Sequence, residues 1–352
     1  MGWKSKKDQL IGLDIGSRAV KAGEIVETRK GNVLRRFAMA EMPPGVIEGG
    51  AIRDPSAAAR VIQELFRANG LKEQNVAISV GGYSVIVKKI SVQTMSEDQL
   101  HETIQFEAEQ YIPFDISDVN LDFQILGEKE ADSGQMDVLL VAAKKEMISD
   151  YVHLVQLAGL NPCIIDVDAF ALQNVFEINY PDEKESVALI DIGAGKTSLN
   201  ILKEGSSVFM RDVSLGCSQI DQRIVSVTGC TAQEAERIKR SQETVAISVS
   251  DRTEIIAGVV SDWCTEIRRA LDFFHSTYPD DQIKRILLSG GGARIGEFRQ
   301  LLSGETGATV ETIDPFRALE IDKGAFDEGF LEQVAPQAAI CMGLASRKVD
   351  DK

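Results

Sequence analysis

The chain has 352 residues, 44% of them hydrophobic, and a formal net charge of −16. This length and apolar content predict about two domains, each with a buried core. The acidic balance argues against nucleic acid as a partner, because binding along a phosphate backbone needs clustered Lys and Arg. No apolar run approaches the ~18 residues of a membrane span. The N-terminus also lacks the apolar core of a secretory signal.

The first half of the chain opens on a short apolar run from Ile11 that ends in Asp14-Ile15-Gly16, which predicts a buried strand turning sharply at the glycine into a hairpin. Periodicity and end signals then predict, in chain order, a helix over 56–69, strands over 76–80 and 85–92, a helix from 96 to about 111, strands over 119–126 and 136–142, a helix over 144–158 and a strand over 164–167. The block 85–159 is therefore predicted to be a small α+β unit inserted before the main sheet resumes.

The second half repeats this logic, with a second apolar run that ends in Asp191-Ile192-Gly193. The predicted elements are a hairpin over 187–192 and 198–202, a helix from a capping box at 231 to about 240, a core-facing helix over 251–277, a strand over 283–289, a helix over 295–302 and a terminal helix over roughly 336–346. A glycine-rich turn, Gly290-Gly291-Gly292, follows the strand that ends at Ser289.

The two Asp-Ile-Gly segments indicate a shared chemistry. A tight turn can present backbone N–H groups to an anion, and a carboxylate beside it can hold a hydrated cation. Two such hairpins about half a chain apart predict two related domains that hold one phosphate chain and its magnesium between them.

Two other phosphate-binding motifs are excluded by spacing. Gly195-Lys196-Thr197 resembles the end of a Walker A loop, but Ile190 stands where that motif requires glycine. The turn at 290–292 lacks the third glycine of the dinucleotide-binding pattern, because Ile295 occupies its position.

The two hairpins followed by Ser289-Gly290-Gly291-Gly292-Ala293 resemble the nucleotide site of the actin-like ATPase superfamily, in the order phosphate-1, phosphate-2, adenosine. The insertion lies where the cell-division protein FtsA carries its extra subdomain. Within the superfamily, four segments resemble the family of the type IV pilus assembly protein PilM: Glu107 to Phe114, Val119 to Leu126, Ile313 to Phe316 and Ala338 to Arg347.

This resemblance implies an α/β actin-like ATPase fold in which two RNase H-like domains flank a nucleotide cleft. The implied boundaries are 9–84, 160–186 and 335–346 for the first actin-like domain, 85–159 for the inserted α+β subdomain, 187–225 and 283–334 for the second actin-like domain, and 226–282 for a helical subdomain.

The resemblance also implies ATP and Mg²⁺ as cofactors, with Asp14 and Asp191 at the metal, directly or through water. The implied phosphate-binding residues are Gly16, Ser17, Lys21, Gly193, Ala194, Gly195, Lys196 and Thr197, through N–H and hydroxyl groups and, at Lys21, a cation. The implied nucleoside-binding residues are Glu236, Lys239, Gly290, Gly291, Gly292 and Ala293. Asp168 is the candidate catalytic, water-orienting carboxylate, and Asp166 is an equal candidate.

Simpler interpretations of these residues stay open. Asp14 and Asp191 are also compatible with turn-capping aspartates. Glu236 and Lys239 form an i, i+3 pair of a kind common on exposed helix faces. Lys196 is expected to be solvated rather than catalytic, and whether ATP is hydrolysed is left undecided.

The resemblance finally implies an ATP-binding scaffold of the type IV pilus machine at the cytoplasmic face of the bacterial inner membrane. Its implied partner is the cytoplasmic N-terminal segment of the inner-membrane protein PilN, in a groove between the first domain and the insert, with 85–92 and 105–111 as candidate walls. Other inner-membrane components of the machine and self-association are further implied contacts. Attachment to the membrane through a partner is expected, because the tail 346–352 has no long amphipathic helix.

Three alternatives remain. A filament-forming protein like FtsA or MreB would use the same cleft without PilN, and a sugar or acid kinase would add a carbohydrate pocket. A DnaK-like chaperone would need a large β-rich domain after the ATPase.

Overall fold

A computed structural model describes residues 10–128, 134–242, 247–321, 324–327 and 329–349. The strands are β1 (Ile11–Ile15), β2 (Ala19–Thr28), β3 (Gly31–Glu41), β4 (Ile47–Glu48), β5 (Ala51–Ile52), β6 (Asn75–Val80), β7 (Val85–Gln93), β8 (Val119–Glu128), β9 (Gln135–Lys144), β10 (Asn161–Val167), β11 (Val187–Ile192), β12 (Thr197–Lys203), β13 (Ser206–Val213), β14 (Arg285–Ser289), β15 (Thr309–Thr312) and β16 (Glu320–Ile321). The α-helices are α1 (Pro55–Ala68), α2 (Glu97–Ala108), α3 (Lys145–Leu157), α4 (Asp168–Asn179), α5 (Ser218–Thr228), α6 (Ala232–Lys239), α7 (Val249–Thr277), α8 (Gly296–Thr306) and α9 (Phe330–Ala345).

Local signals place several of these helices where the sequence predicts them. Both expected capping boxes are present, at Ser96 with Gln99 for α2 and at Thr231 with Glu234 for α6. Each satisfies backbone N–H groups that the first helical turn leaves without partners.

Two sheets form the body of the molecule, and they share one topology. The first has the strand order β10-β6-β1-β2-β3-β16 and the second has the order β13-β12-β11-β14-β15. In each, three consecutive antiparallel strands begin with the Asp-Ile-Gly strand, which also pairs in parallel with a later strand, β6 or β14. The prediction of two related domains, each opened by such a hairpin, is confirmed.

Helices α4 and α9 pack on each other between the two sheets. From Val334 to Ala345 nearly every residue of α9 is buried, as expected of a helix that is apolar on all sides. The approach is close: a Cβ on Gly343 would lie 1.8 Å from the carbonyl oxygen of Ala171 in α4. These two helices therefore join the domains beneath the cleft.

The inserted subdomain is smaller than the sequence predicts. Its three-stranded antiparallel sheet, in the order β7-β9-β8, carries α2, whose Leu100 and Ile104 share a core with β9. Helix α3, predicted to belong to the insert, packs instead on α1 and β10. Its Tyr151 and Leu154 lie in the core of the first domain, because the apolar face of α3 is directed at that sheet.

Two further boundaries differ from the predicted ones. The segment after β15, predicted to belong to the second domain, returns to the first. There Phe316 packs edge-on against Phe37, with ring centroids 5.8 Å apart, and β16 pairs with β3. The predicted helical subdomain shares its core with the second sheet: Trp263 and Phe274 of α7 lie in one cluster with Ile190.

The terminal helix begins at Phe330, six residues before the predicted start, and contains Pro336. Proline has no N–H, so the helix lacks one internal hydrogen bond there. Burial of α9 between the sheets offsets that loss, and the Pro336 carbonyl accepts a hydrogen bond from the Gly290 N–H at 2.7 Å. Among the described helices, none combines the length and the apolar character required to cross a bilayer.

Candidate nucleotide cleft

The two hairpin turns are built alike. In the first, the Gly16 N–H donates to the Ala19 carbonyl at 3.0 Å. In the second, the Gly193 N–H donates to the Lys196 carbonyl at 2.9 Å. Strands β1 and β11 end just before these glycines, so their aspartates, at positions 14 and 191, stand at matching places beside the turns.

The two aspartates belong to one electrostatic cluster between the sheets. Burial raises the pKa of Asp191 to about 6, against the effect of a hydrogen bond from Ser289 Oγ at 2.6 Å, while repulsion by Asp14 raises it further. Lys21, in register with Asp14 across the first hairpin, donates to its carboxylate at 2.9 Å. Burial would lower the pKa of Lys21, but Asp14 and, less strongly, Asp191 raise it. Charged groups from the two hairpins therefore act across the cleft, Asp14 on Asp191 and Asp191 on Lys21.

Asp168 makes direct contacts in this cluster, whereas Asp166 is linked to it only through the charge of Asp168. Asp168 accepts hydrogen bonds from Ser79 Oγ at 2.6 Å and from Lys196 Nζ at 2.5 Å. Burial would raise the pKa of Asp168, but these partners hold it below its ordinary value. Asp166 lies instead beside Arg347, 3.6 Å away just beyond the end of α9. The geometry thus ranks two candidates that the sequence left equal.

The Lys196 side chain, expected to be solvated, is 32% exposed, and its ammonium is paired with carboxylates. It bridges the two halves of the molecule, because Asp168 lies in α4 and the turn that carries Lys196 follows β11. Burial would lower the pKa of Lys196, but Asp168 and Asp212 raise it above its ordinary value. The ammonium is therefore held charged.

Only some backbone amides of the predicted phosphate-binding residues are available for a ligand. Those of Ser17, Ala194 and Gly195 have no hydrogen-bond partner among the described residues. The amides of Gly16 and Gly193, by contrast, close their own turns. Each hairpin turn therefore keeps at least one N–H group for an anion.

The Thr197 hydroxyl is also used in a hydrogen bond within the protein. Its residue is 2% exposed, and its hydroxyl donates to the Leu215 carbonyl at 3.0 Å. The sequence could not show this, because it does not reveal which groups a turn uses itself.

The second turn is fixed from behind by the start of α5. The Cys217 N–H donates to the Gly193 carbonyl at 3.1 Å, and the Ser218 N–H donates to the Ala194 carbonyl at 2.8 Å. A Cβ on Gly216 would lie 2.5 Å from the same Ala194 oxygen. The carbonyl oxygens of this turn are thus occupied, while its amides at 194 and 195 stay available.

In the glycine-rich turn, packing within the protein requires two of the three glycines and leaves the third unexplained. A Cβ on Gly290, whose φ is +80°, would lie 2.4 Å from the Ile192 carbonyl, and one on Gly292 would lie 2.3 Å from the Ile192 side chain. Of the three, only Gly291 borders open space: a Cβ added there would have Gln337 Nε2 as its nearest neighbour, 3.8 Å away. Ala293 is buried in the second core. Packing therefore accounts for three of the four residues, and a close approach of the purine stays a prediction that fits Gly291 best.

Glu236 and Lys239 share one helix face, as predicted, and they belong to a larger network. Lys239 Nζ lies 2.6 Å from Glu236 and 2.8 Å from Asp221 of α5. Burial raises the pKa of Asp221 to about 6, although Lys239 opposes it. Arg240 joins Glu236 at 2.8 Å.

This network reaches across the cleft at two points. Arg240 contacts Glu41, at the end of β3, at 2.9 Å, and Arg18 of the first turn lies 3.5 Å from Asp221. None of these four residues is predicted from the sequence, since neither Glu41 nor Asp221 carries a motif. The position of Arg240 directly after Lys239 is the one feature of the sequence that could have indicated a member of this network.

The family model of the type IV pilus assembly protein PilM matches residues 12–349 of the chain. The chain belongs to the PilM family. A solved structure described as a PilM-PilN type IV pilus biogenesis complex is similar to it with a TM-score of 0.87 and 28% identity, over 98% of this chain and 100% of that one.

More distant similarity is consistent with this family. The ethanolamine utilization protein EutJ from Carboxydothermus hydrogenoformans has a TM-score of 0.59 at 15% identity, over 97% of this chain and 90% of its own, which concerns the fold alone. The cell division protein FtsA of Bacillus subtilis (strain 168) is 24% identical over 235 residues, 66% of this chain. That match spans 52% of FtsA, about half the length of the curated relative. The predicted actin-like ATPase fold is confirmed.

The chemistry of the cleft fits the magnesium nucleotide that the superfamily binds. No group of three His, Cys, Asp or Glu side chains among the described residues could hold a metal ion unaided. Magnesium seldom needs such a group, because one or two carboxylates with phosphate oxygens and waters complete its shell. In this PilM family member, Asp14 and Asp191 would provide two carboxylates for such an ion, and the available amides of both turns would provide donors for phosphate.

Proposed function

We propose that this PilM family member binds ATP with Mg²⁺ between its two sheets and serves as a scaffold of type IV pilus assembly. The observation that carries the proposal is that Asp14 and its partner Lys21, from the first sheet, act on the buried carboxyl of Asp191, from the second sheet. A ligand held by both would fix the relative orientation of the domains, since it would contact each of them.

The phosphates and the metal have residues that fit them. Asp14 and Asp191 would hold the magnesium, and the amides of Ser17, Ala194 and Gly195 would bind the β- and γ-phosphates. Charge-assisted bonds of this kind contribute about 1.5–3 kcal/mol each, so a few suffice for micromolar affinity.

The nucleoside would lie beside the open face at Gly291, with Glu236 and Lys239 toward the ribose and adenine. Lys21 would neutralise Asp14 and remain within reach of the phosphates. The assignment of these residues rests on their common position around the cleft.

Hydrolysis would be slow in this arrangement. Asp168 is the carboxylate best placed to orient water, but Ser79 Oγ donates to it at 2.6 Å and stabilises its ionised form, and this bond does not depend on the position of Lys196. A carboxylate so stabilised is a weak proton acceptor. We therefore propose that binding, rather than turnover, is the working property of the cleft.

We further propose that the chain binds the cytoplasmic N-terminal segment of PilN and through it resides at the cytoplasmic face of the inner membrane. The similarity to the solved PilM-PilN complex supports this partner. The inserted subdomain offers an exposed aromatic side chain, Phe106 in α2, 70% exposed, within the segment 105–111. Lys88 of β7 lies 5.1 Å above the ring of Tyr111 in the same segment, so the two candidate walls adjoin.

Calorimetric titration tests both halves of this proposal. MgATP and a synthetic peptide of the PilN N-terminus are titrated separately into the full chain, and we expect saturable binding of each. Absence of nucleotide binding would overturn the cleft assignment, and absence of peptide binding would overturn the partner. Sedimentation that depends on ATP without any peptide would favour a filament-forming protein instead.

A further inference from the structure

The second hairpin meets the root of the inserted subdomain at one junction. Lys196 Nζ lies 2.5 Å from Asp168 and 3.8 Å from Asp212 of β13. Asp212 in turn accepts a hydrogen bond from the Gly82 N–H at 2.6 Å. Gly82 lies three residues before Val85, where β7 and with it the insert begin. One lysine is therefore connected, through a single carboxylate, to the start of the insert.

A second contact ties the same segment to the second sheet. Ser214 Oγ, just after β13, donates to the Tyr83 hydroxyl at 3.2 Å. The junction thus joins the first domain, the second sheet and the start of the insert.

The ion pair at this junction packs directly on the backbone of Gly81. A Cβ added there would lie 2.3 Å from Lys196 Nζ and 2.5 Å from the Asp168 carboxylate. Beside it lies a cavity of about 170 Å³, lined by Gly82 and the first residues of β7 on one side and by Asp212 on the other. The contact between β7 and β13 therefore has room to change.

We propose that Lys196 transmits phosphate binding in the cleft to the inserted subdomain, by leaving Asp168 and Asp212 for the bound phosphate. This inference rests on the proposed nucleotide site. Lys196 directly follows Ala194 and Gly195, whose amides are available to a phosphate among the described residues. A phosphate bound there places a strong, multiply charged acceptor beside the flexible lysine side chain.

When the Lys196 ammonium leaves, attraction between it and the two carboxylates of the junction is replaced by repulsion between those carboxylates. Asp168 and Asp212 are both within 4 Å of Lys196 Nζ, and without it two carboxylates face each other and repel. Asp212 then moves from the Gly82 N–H, and the start of β7 loses its tie to β13. Nucleotide binding loosens the root of the insert in this way.

Hydrogen exchange in the full chain tests this inference. In the wild type, MgATP raises the exchange rate of the amides over 82–87 about threefold or more. Lys196→Met raises the same rate without nucleotide. Asp212→Asn still accepts the Gly82 N–H but carries no charge, so MgATP no longer raises the rate.

Lys203→Met is the matched control, because Lys203 lies at the other end of β12 and pairs with Asp281 at 2.7 Å. It should respond to MgATP as the wild type does. If calorimetry shows that MgATP binds but exchange over 82–87 stays unchanged, or rises equally in Asp212→Asn, the inference is wrong and the nucleotide site stands. If MgATP does not bind the wild type, the proposed function fails, and the inference fails with it.

Discussion

Ser289 Oγ donates to the Asp191 carboxylate at 2.6 Å, which joins the last residue before the glycine-rich turn to the aspartate of the second hairpin. Ser289 is fully buried, and β14 pairs with β11 in register at these two residues. The proposed phosphate and nucleoside ends of the cleft are therefore joined within a single sheet, by the pairing of β11 with β14 and by this side-chain hydrogen bond.

The raised pKa of Asp191 makes nucleotide affinity depend on pH. Its pKa of about 6 means that the carboxylate becomes ionised between pH 5 and pH 7, and magnesium requires the ionised form. We expect MgATP affinity to rise about tenfold over that interval. Calorimetry in buffers of matched ionic strength measures this, with Asp191→Asn as the control for titration of the nucleotide itself. Equal pH profiles in the two proteins would contradict the link between Asp191 and magnesium.

The Asp191 carboxyl should also lower the free energy of unfolding at neutral pH when no nucleotide is bound. A carboxyl whose folded pKa exceeds its unfolded value favours the folded state at low pH, and that advantage is lost as pH rises from about 4 to 6. Asp191→Asn removes the ionisation and can keep the bond from Ser289. We therefore compare the free energy of unfolding of Asp191→Asn with that of the wild type. The difference in favour of the variant should be about 1–2 kcal/mol larger at pH 7 than at pH 4.5. Urea denaturation at both pH values checks the sign.

Neighbouring glycines should behave differently on substitution. Gly291→Val adds a side chain at the open face, so we expect loss of ATP binding with an unchanged unfolding midpoint. Gly292→Ala places its Cβ 2.3 Å from the Ile192 side chain and should destabilise the fold by about 1–3 kcal/mol. Thermal unfolding and nucleotide titration of both variants separate the two effects. Normal ATP binding by Gly291→Val would mean that the turn is structural only.

The sequence predicted most of the fold because local patterns specify most of it. Apolar runs, two Asp-Ile-Gly turns and two capping boxes locate the strands, hairpins and helix starts. What it mispredicted depends on tertiary packing: the return of α3 to the first domain, the crossing of Phe316 to Phe37, and a helix that continues through Pro336. An apolar helix face does not reveal which sheet it will cover.

In the candidate site, too, local motifs predict some features, and others depend on tertiary packing. Asp14 and Asp191 stand beside the turns that their motifs predict, and both belong to one cluster. The internal use of the Thr197 hydroxyl and the pairing of Lys196 with Asp168 arise between residues that are not neighbours in the chain. Single motifs cannot reveal such competition for hydrogen-bonding groups.

The most direct measurement is the magnesium dependence of ATP binding by Asp14→Asn and Asp191→Asn, compared by calorimetry with Asp166→Asn. Asp166 is a buried carboxyl of the first sheet that pairs with Arg347 and makes no hydrogen bond or ion pair with Asp14 or Asp191 among the described residues, so it serves as the control. We predict that each cleft variant binds MgATP at least about tenfold more weakly, about 1.4 kcal/mol, while the control binds as the wild type does. Wild-type affinity and magnesium dependence in both cleft variants would contradict a magnesium site shared by the two hairpins.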